Sequence, residues 1–151
     1  MPRSFSAVII HVVFSTKDRR PFLADRESRL EVHNYLGGVA KHLGCQPLIV
    51  GGVSDHVHML TGLGKTISQA EFVKEVKRVS SGWIKERDPY LHDFSWQGGY
   101  GAFSVDMSNL ERIRQYIVRQ EQHHQAISFQ DEFRALLKEH GIECEEQYIW
   151  E

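Results

Sequence analysis

The feature that most constrains the fold is residues 5–14, FSAVIIHVVF, an almost unbroken run of β-branched and other apolar side chains. A half-exposed strand alternates between apolar and polar residues, whereas such a run is typical of a central strand buried on both faces. The chain therefore has to build a sheet around this strand. With 151 residues and 41% hydrophobic content it can form its own core, and we expect residues 1–151 to be a single domain.

Helix and strand patterns alternate along the rest of the chain. The predicted order is a strand at 5–14, a helix at 24–43, strands at 47–53 and 56–62, a helix at 67–85, a short strand within the glycine-rich stretch 94–105, a helix that follows Ser108, and a helix at 129–140. This order favours an α+β fold of the ferredoxin-like split βαβ type. Such a fold has a four-stranded antiparallel sheet with helices on one face, here extended by C-terminal helices.

Short signals mark where several helices begin and end. Ser108 and Glu111 have the spacing of a capping box, which predicts Ser108 as the N-cap of its helix. Gly44 is placed to end the first helix. Gly37 and Gly38 each lower helix propensity by about 1 kcal/mol relative to alanine, so the same helix has a predicted weak point in its middle.

The cysteines and the chain ends carry little chemistry. Cys45 and Cys144 are far apart and form no CxxC pair, so neither a disulfide framework nor a thiolate metal site is indicated, and we interpret both as packing residues. Residues 148–150, YIW, are expected to dock as an apolar tail. The first residues lack a signal-peptide pattern, and no segment approaches the roughly 20 apolar residues of a membrane span, so we expect a cytoplasmic protein.

Charge is unevenly distributed. The net charge is −2, but residues 131–151 carry −5 and the remainder +3. A mildly basic body with an acidic tail is compatible with a polyanionic partner, and it is equally compatible with an ordinary solvated surface.

Two histidines in the third strand are the first candidates for chemistry. Alternation along a strand places His56 and His58 side by side on one face, with Val57 on the other. Two neutral imidazoles so placed can chelate a divalent metal, but a satisfied or exposed histidine pair explains the same spacing. A metal site would need further ligands from elsewhere in the chain.

The helix after Ser108 offers two such groups. Tyr116 and Gln120 lie one helical turn apart and share a flank. A tyrosine phenolate can attack phosphorus and form a phosphotyrosine, and a glutamine oxygen can complete a metal shell. Packing of Tyr116 on its apolar neighbours, with Gln120 in solvent, is the alternative that the spacing leaves open.

Several blocks of sequence together resemble one family. They are HVH at 56–58, WQGGYGAFSV at 96–105, YIVRQ at 116–120 followed by EQHH, and EQYIW at 146–150. In this order and at this length, the chain resembles the single-tyrosine transposases of the IS200/IS605 group, which belong to the HUH endonuclease superfamily.

The resemblance implies a function and a set of residues. Tyr116 would cleave single-stranded DNA at hairpin-flanked element ends, forming a 5′-phosphotyrosine and freeing a 3′-hydroxyl. His56, His58 and Gln120 would hold one divalent cation, Mg²⁺ or Mn²⁺, which polarises the scissile phosphate. Because these ligands carry no negative charge, low metal affinity without DNA is expected. The family likeness also implies a homodimer that binds DNA hairpins, with the tyrosine acting in either protomer's site.

One basic stripe is a candidate DNA contact. Lys74, Lys77 and Arg78 lie at i, i+3 and i+4 on the second long helix and could follow a phosphate backbone. A solvated helix face is the alternative. The aromatic residues Trp83, Trp96 and Phe103 are interpreted as core residues rather than base-stacking platforms.

Three other functions would fit parts of this pattern. A domesticated relative could grip hairpins without cutting, and an RNA-recognition-like module shares the strand order but would carry aromatic residues on the sheet face. A small-molecule metal hydrolase would require a deep pocket and a carboxylate ligand. Asp55 is the one acidic neighbour in sequence, and a strand would direct it away from His56.

Overall fold

The computed structural model describes residues 3–150, and its elements confirm the predicted strand and helix order. The strands are β1 (Ile9–Ser15), β2 (Gln46–Val53), β3 (His56–Gly62) and β4 (Gly101–Ser104). The helices are α1 (Arg26–His42), α2 (Gln69–Arg87), α3 (Leu110–Val118), α4 (Gln120–His123), α5 (Phe129–Glu139) and α6 (Glu146–Ile149).

The strands form one antiparallel sheet in the order β2-β3-β1-β4. This is the ferredoxin-like arrangement that the sequence predicts. β1 is central as expected, but it begins at Ile9 rather than at residue 5, and Phe5 is 89% exposed. The β1–β3 register places Val13 opposite His58 and Ser15 opposite His56, so the histidine pair lies in the middle of the sheet.

Helices cover both faces of the sheet. α1 and α2 pack against the face that carries Val12, Phe14 and Val57, where most of the buried apolar side chains lie. The C-terminal helices cover the opposite face, where Val13 packs with a smaller apolar cluster that includes Phe133 of α5. The predicted C-terminal helices therefore form a second layer over the face that displays the histidines.

Two glycines allow this second layer to lie close to the sheet. A Cβ atom at Gly51 of β2 would lie 2.7 Å from both Cγ2 and the carbonyl oxygen of Ile117 in α3. At Gly101 of β4 it would lie 2.7 Å from Cε2 of Phe133. Real Cβ contacts are longer than this, so any larger residue would push α3 or α5 away from the strands.

Several local expectations need correction. The capping box is wrong: a 3-10 turn at Met107–Asn109 precedes α3, and among the described residues the N-cap Asn109 makes no side-chain capping hydrogen bond. α1 is one unbroken helix despite Gly37 and Gly38, and Gly44 after it has the expected positive φ of 79°. Sheet packing outweighs the helix-propensity cost there.

The ends and the cysteines are partly as expected. Cys45 is buried, whereas Cys144 is exposed, so its interpretation as a packing residue is wrong. Trp150 docks on Phe133 with ring centroids 6.0 Å apart, while Tyr148 is 56% exposed. Within residues 3–150, none of the helices combines the length and apolarity needed to cross a membrane.

Candidate metal and nucleophile site

Strand β3 supplies the floor of the site. The side chains of His56 and His58 lie on the same face of the sheet, and both are fully buried beneath the C-terminal helices. Val57 points into the main core on the other face, as the alternation predicts. Burial of two polar rings requires polar partners, and the C-terminal segment provides them.

The C-terminal helices bring the predicted partners to the histidines. Tyr116 of α3 lies with its ring centroid 5.7 Å from that of His58. Gln120 is buried, and its Oε1 lies 3.1 Å from Nε2 of His56. The helix is interrupted at Arg119, so Tyr116 and Gln120 belong to α3 and α4, yet both still face the same site. The chain therefore brings together all four residues that the sequence singles out as catalytic or metal-binding.

A buried carboxylate from α5 occupies the centre of this group. Oε1 of Glu132 lies close to the Nε2 atoms of three histidines: the distances are 3.2 Å to His56, 3.1 Å to His58 and 3.0 Å to His124. The other oxygen, Oε2, accepts hydrogen bonds from the Tyr116 hydroxyl and, at 3.0 Å, from the Gln120 amide. Glu132 thus touches every member of the cluster.

The second nitrogen of each of these three rings has its own partner. Nδ1 of His56 lies 2.7 Å from the Asp55 carboxylate, and Nδ1 of His58 lies 2.8 Å from Nε2 of the buried His11. Nδ1 of His124 lies 2.6 Å from the carbonyl oxygen of Ile127. All three rings are held in orientation, with their Nε2 atoms directed to one point.

The charges in the cluster depend on one another. Burial opposes charge on His56, but hydrogen bonds to Asp55 and Glu132 outweigh it and raise the pKa of His56 to about 9. Burial would raise the pKa of Glu132, yet hydrogen bonds from three histidines hold it well below its usual range. Burial lowers the pKa of His58 to about 4 and also lowers the pKa of His11. As it stands, the site holds an ionised carboxylate beside a protonated His56.

The Tyr116 phenol is held in its protonated form. Burial, together with the negative charge of Glu132, raises the pKa of Tyr116 well above its usual value. A phenolate would therefore form only when positive charge is brought to this site.

Glu132 and His124 were not identified from sequence. His124 lies in the EQHH block that follows Gln120, but spacing gives it no distinct role, and Glu132 lies on a separate helix whose face toward β3 depends on tertiary packing. Asp55 was placed wrongly: it sits in the turn before β3 and contacts the ring of His56. The expectation that the site lacks a carboxylate ligand, which argued against a metal hydrolase, is also wrong. Glu132 supplies a carboxylate within the cluster.

Two cavities border the cluster. One, of about 190 Å³, is lined by Tyr116, His123 and Glu132 together with apolar residues of α3 and α5. The other, of about 470 Å³, is lined on its site side by Asp55 and His124. Tyr116 and the histidine cluster therefore border cavities on two sides.

The predicted DNA stripe lies on the other side of the sheet. Lys74 and Arg78 are exposed on α2, and Arg78 pairs with Glu75 at 2.7 Å. The Lys77 ammonium instead donates to the carbonyl oxygens of Gln97 and Gly99 at 2.9 and 2.6 Å, and burial lowers its pKa to about 8. The exposed part of the stripe is therefore shorter than predicted and does not border the site.

Known proteins resemble this chain in sequence and in fold. A sequence profile of the family described as IS200-like transposases matches residues 4–120. A crystal structure of a candidate transposase from Deinococcus radiodurans is 25% identical, with a TM-score of 0.64 over 80% of this chain and 96% of that one. The chain has no significant match among curated proteins.

A second solved structure extends the likeness in fold. It is a REP-associated tyrosine transposase bound to a REP hairpin, with 12% identity and a TM-score of 0.60 over 84% of this chain and 74% of that one. At this identity the likeness concerns the fold alone. The profile, by contrast, spans most of the chain and includes the histidine pair and the tyrosine, so the chain belongs to the IS200-like, single-tyrosine transposase family.

Proposed function

We propose that the protein cleaves and rejoins single-stranded DNA through a covalent intermediate on Tyr116. The observation that carries this proposal is the position of the Tyr116 hydroxyl, which hydrogen-bonds Glu132 inside the buried histidine cluster of the same chain. A phenol held among side chains that could bind a cation suits phosphoryl transfer to tyrosine. Family membership supplies the substrate class, DNA.

The chemistry balances without a further reactant. The Tyr116 oxygen forms a bond to phosphorus while the bond from phosphorus to the 3′-oxygen of the upstream nucleotide breaks. Glu132 orients the Tyr116 hydroxyl by accepting its hydrogen bond at Oε2. The phenol gives up one proton as the new bond forms and the departing 3′-oxygen takes up one, so the protons balance. Rejoining is the reverse reaction, in which a 3′-hydroxyl attacks the phosphotyrosine.

The donor set suits a divalent cation. His56 and His58, with Gln120 beside them, would hold the ion, and when bound it would polarise the scissile phosphate and offset the negative charge of Glu132. Asp55 and His11 keep the two strand imidazoles oriented, as outer partners of metal-binding histidines do. The ion is Mg²⁺ or Mn²⁺ in this proposal.

The partners follow from the family and the charge distribution. We propose a DNA hairpin as the recognised substrate, since a structural neighbour is bound to one. Lys74 and Arg78 remain candidate contacts to the DNA phosphate backbone. Lys77 is the third candidate from the sequence, but its ammonium is hydrogen-bonded within the protein. We propose a homodimer as well; within the single chain, Tyr116 lies beside its own histidines.

The direct test is covalent capture of DNA. A pool of 3′-labelled, hairpin-containing oligonucleotides with randomised flanks is incubated with protein and Mn²⁺ and run on a denaturing gel. A 5′-phosphotyrosine keeps the 3′ fragment on the protein, so we expect a shifted labelled band, whereas 5′-labelled DNA should give only a shortened free strand.

The variant that tests the nucleophile is Tyr116→Phe. It removes one oxygen and keeps the ring, so the adduct should fall below detection while hairpin binding persists; Tyr148→Phe, at an exposed tyrosine, is the matched control. Adducts at the wild-type level with Tyr116→Phe would refute the assignment. Hairpin binding without any adduct from the wild type would favour the non-cutting relative instead.

A further inference from the structure

We infer that the cation site is built from four side chains, His56, His58, His124 and Glu132, and that it takes a transition-metal ion before DNA binds. The inference rests on the proposed function only in expecting a divalent cation. It goes beyond that proposal because His124 and Glu132 lie after residue 120, outside the region that the family profile matches. The family likeness supplies His56, His58 and Gln120, but not these two.

The first argument is convergence. One ligand atom from each of the four residues lies within 4.8 Å of the others, and Oε1 of Glu132 is 3.0 to 3.2 Å from all three Nε2 atoms. The strand histidines and Glu132 are buried and His124 is nearly so, which keeps the group away from bulk water. A small ion at the common point would reach all four without large movement.

The second argument is the orientation of the rings. A carbonyl oxygen only accepts, so His124 donates to Ile127 through Nδ1, and Nδ1 of His56 faces the Asp55 carboxylate. With Nδ1 of both rings engaged in this way, Nε2 is the atom through which each ring can hold an ion, and both Nε2 atoms face Glu132.

His58 follows the same pattern, because His11 engages its Nδ1 while its Nε2 faces Glu132. One divalent cation accepts all three lone pairs and the carboxylate at once. The fixed Nδ1 partners are also the outer contacts that metal-binding histidines carry.

The donor set indicates the class of ion. Imidazole nitrogens suit Zn²⁺ and other late first-row ions, and Mn²⁺ stands lowest in the affinity order of these metals. Mg²⁺ prefers oxygen ligands and keeps much of its water. The charge of Glu132 also removes the reason to expect weak binding without DNA. We therefore expect Zn²⁺ to bind the DNA-free protein most tightly, then Mn²⁺, and Mg²⁺ least.

The test is calorimetric titration of the DNA-free protein with each ion alone. The wild type should bind one Zn²⁺ per chain. Glu132→Gln and His124→Gln should each weaken Zn²⁺ binding tenfold or more, while Glu139→Gln, at an exposed glutamate on the same α5, should bind as the wild type. No binding by the wild type, or unchanged binding by both ligand variants, would overturn the inference.

A measurement on the wild type covers the case in which a buried variant does not fold. X-ray absorption of the Zn²⁺-loaded protein should show three imidazole ligands, and a spectrum with two would refute the role of His124. These readouts need neither DNA nor Tyr116. Metal binding without adducts would leave this inference standing and refute the proposed function, and adducts without DNA-free metal binding would do the reverse.

Discussion

At the scale of single residues, the sequence predicts the roles of some site residues and misses others. His56 and His58 are predictable because strand alternation is a local rule, and Tyr116 and Gln120 because the helical repeat and the family resemblance point to them. Glu132 is not predictable in this way, since its role depends on how α5 lies against a sheet more than 70 residues earlier in the chain. Asp55 was misjudged because it lies in a turn, where strand alternation does not apply.

One buried residue outside the site predicts a pH effect on stability. His33 of α1 is 7% exposed, and its Nε2 has no hydrogen-bond partner among the described residues. Burial, followed by the nearby Arg29, lowers its pKa to about 4; Glu121, which raises it, and the His56–His58 pair also face it. As the pH falls below 6.5, His33 takes up a proton in the unfolded chain, whereas in the folded chain it stays neutral until about pH 4. The free energy of unfolding therefore decreases as the pH drops from 6.5 toward 4.

The variant His33→Leu should flatten this part of the profile. The contribution of one group is at most about 1.4 kcal/mol per pH unit in this window, and the substitution also removes an unpaired polar atom. Urea unfolding at several pH values measures it, with the exposed His42→Gln on the same helix as control. An equally steep decline in His33→Leu and the wild type would show that His33 is not responsible.

At the scale of elements, types and order are predictable and junctions are not. Apolar periodicity locates α1, α2 and α5 to within a few residues. The start of α3 is missed because a 3-10 turn replaces the capping box, and the break at Arg119 gives no signal in the apolar pattern. Both junctions lie beside the site, where packing on the sheet decides the local conformation.

Gly51 predicts how α3 is held. Replacement by alanine would drive a methyl group into Ile117, the neighbour of Tyr116, and should lower the free energy of unfolding by about 1–3 kcal/mol. It should also slow adduct formation, because Tyr116 moves with α3. Chemical denaturation and the adduct gel measure the two effects.

The matched control is Gly38→Ala in α1. No atom of the described residues lies within 4 Å of its added Cβ, and alanine favours a helix, so stability should be unchanged or rise by up to about 1 kcal/mol. If Gly51→Ala were as stable and as active as this control, the close approach of α3 to β2 would not matter.

At the scale of the molecule, the two faces of the sheet bury different kinds of side chain. The face covered by α1 and α2 holds most of the apolar core, whereas the opposite face buries polar chemistry under the C-terminal helices. The fold class follows from strand order and crossover rules, so it was predictable from sequence. That the C-terminal helices form a lid on the histidines was not, because helix periodicity does not say which face of a sheet a helix will cover.

The central claim is that Tyr116, held beside the histidines by the C-terminal helices, is the residue that carries the DNA. Peptide mapping of the covalent complex tests this claim most directly. After reaction with the hairpin pool, nuclease trimming and trypsin digestion, cleavage at Arg114 and Arg119 releases residues 115–119, QYIVR. We predict that mass spectrometry finds the nucleotide remnant on Tyr116 of this peptide. A remnant on a peptide carrying Tyr100 or Tyr148, or DNA cleavage with no modified peptide, would contradict the account.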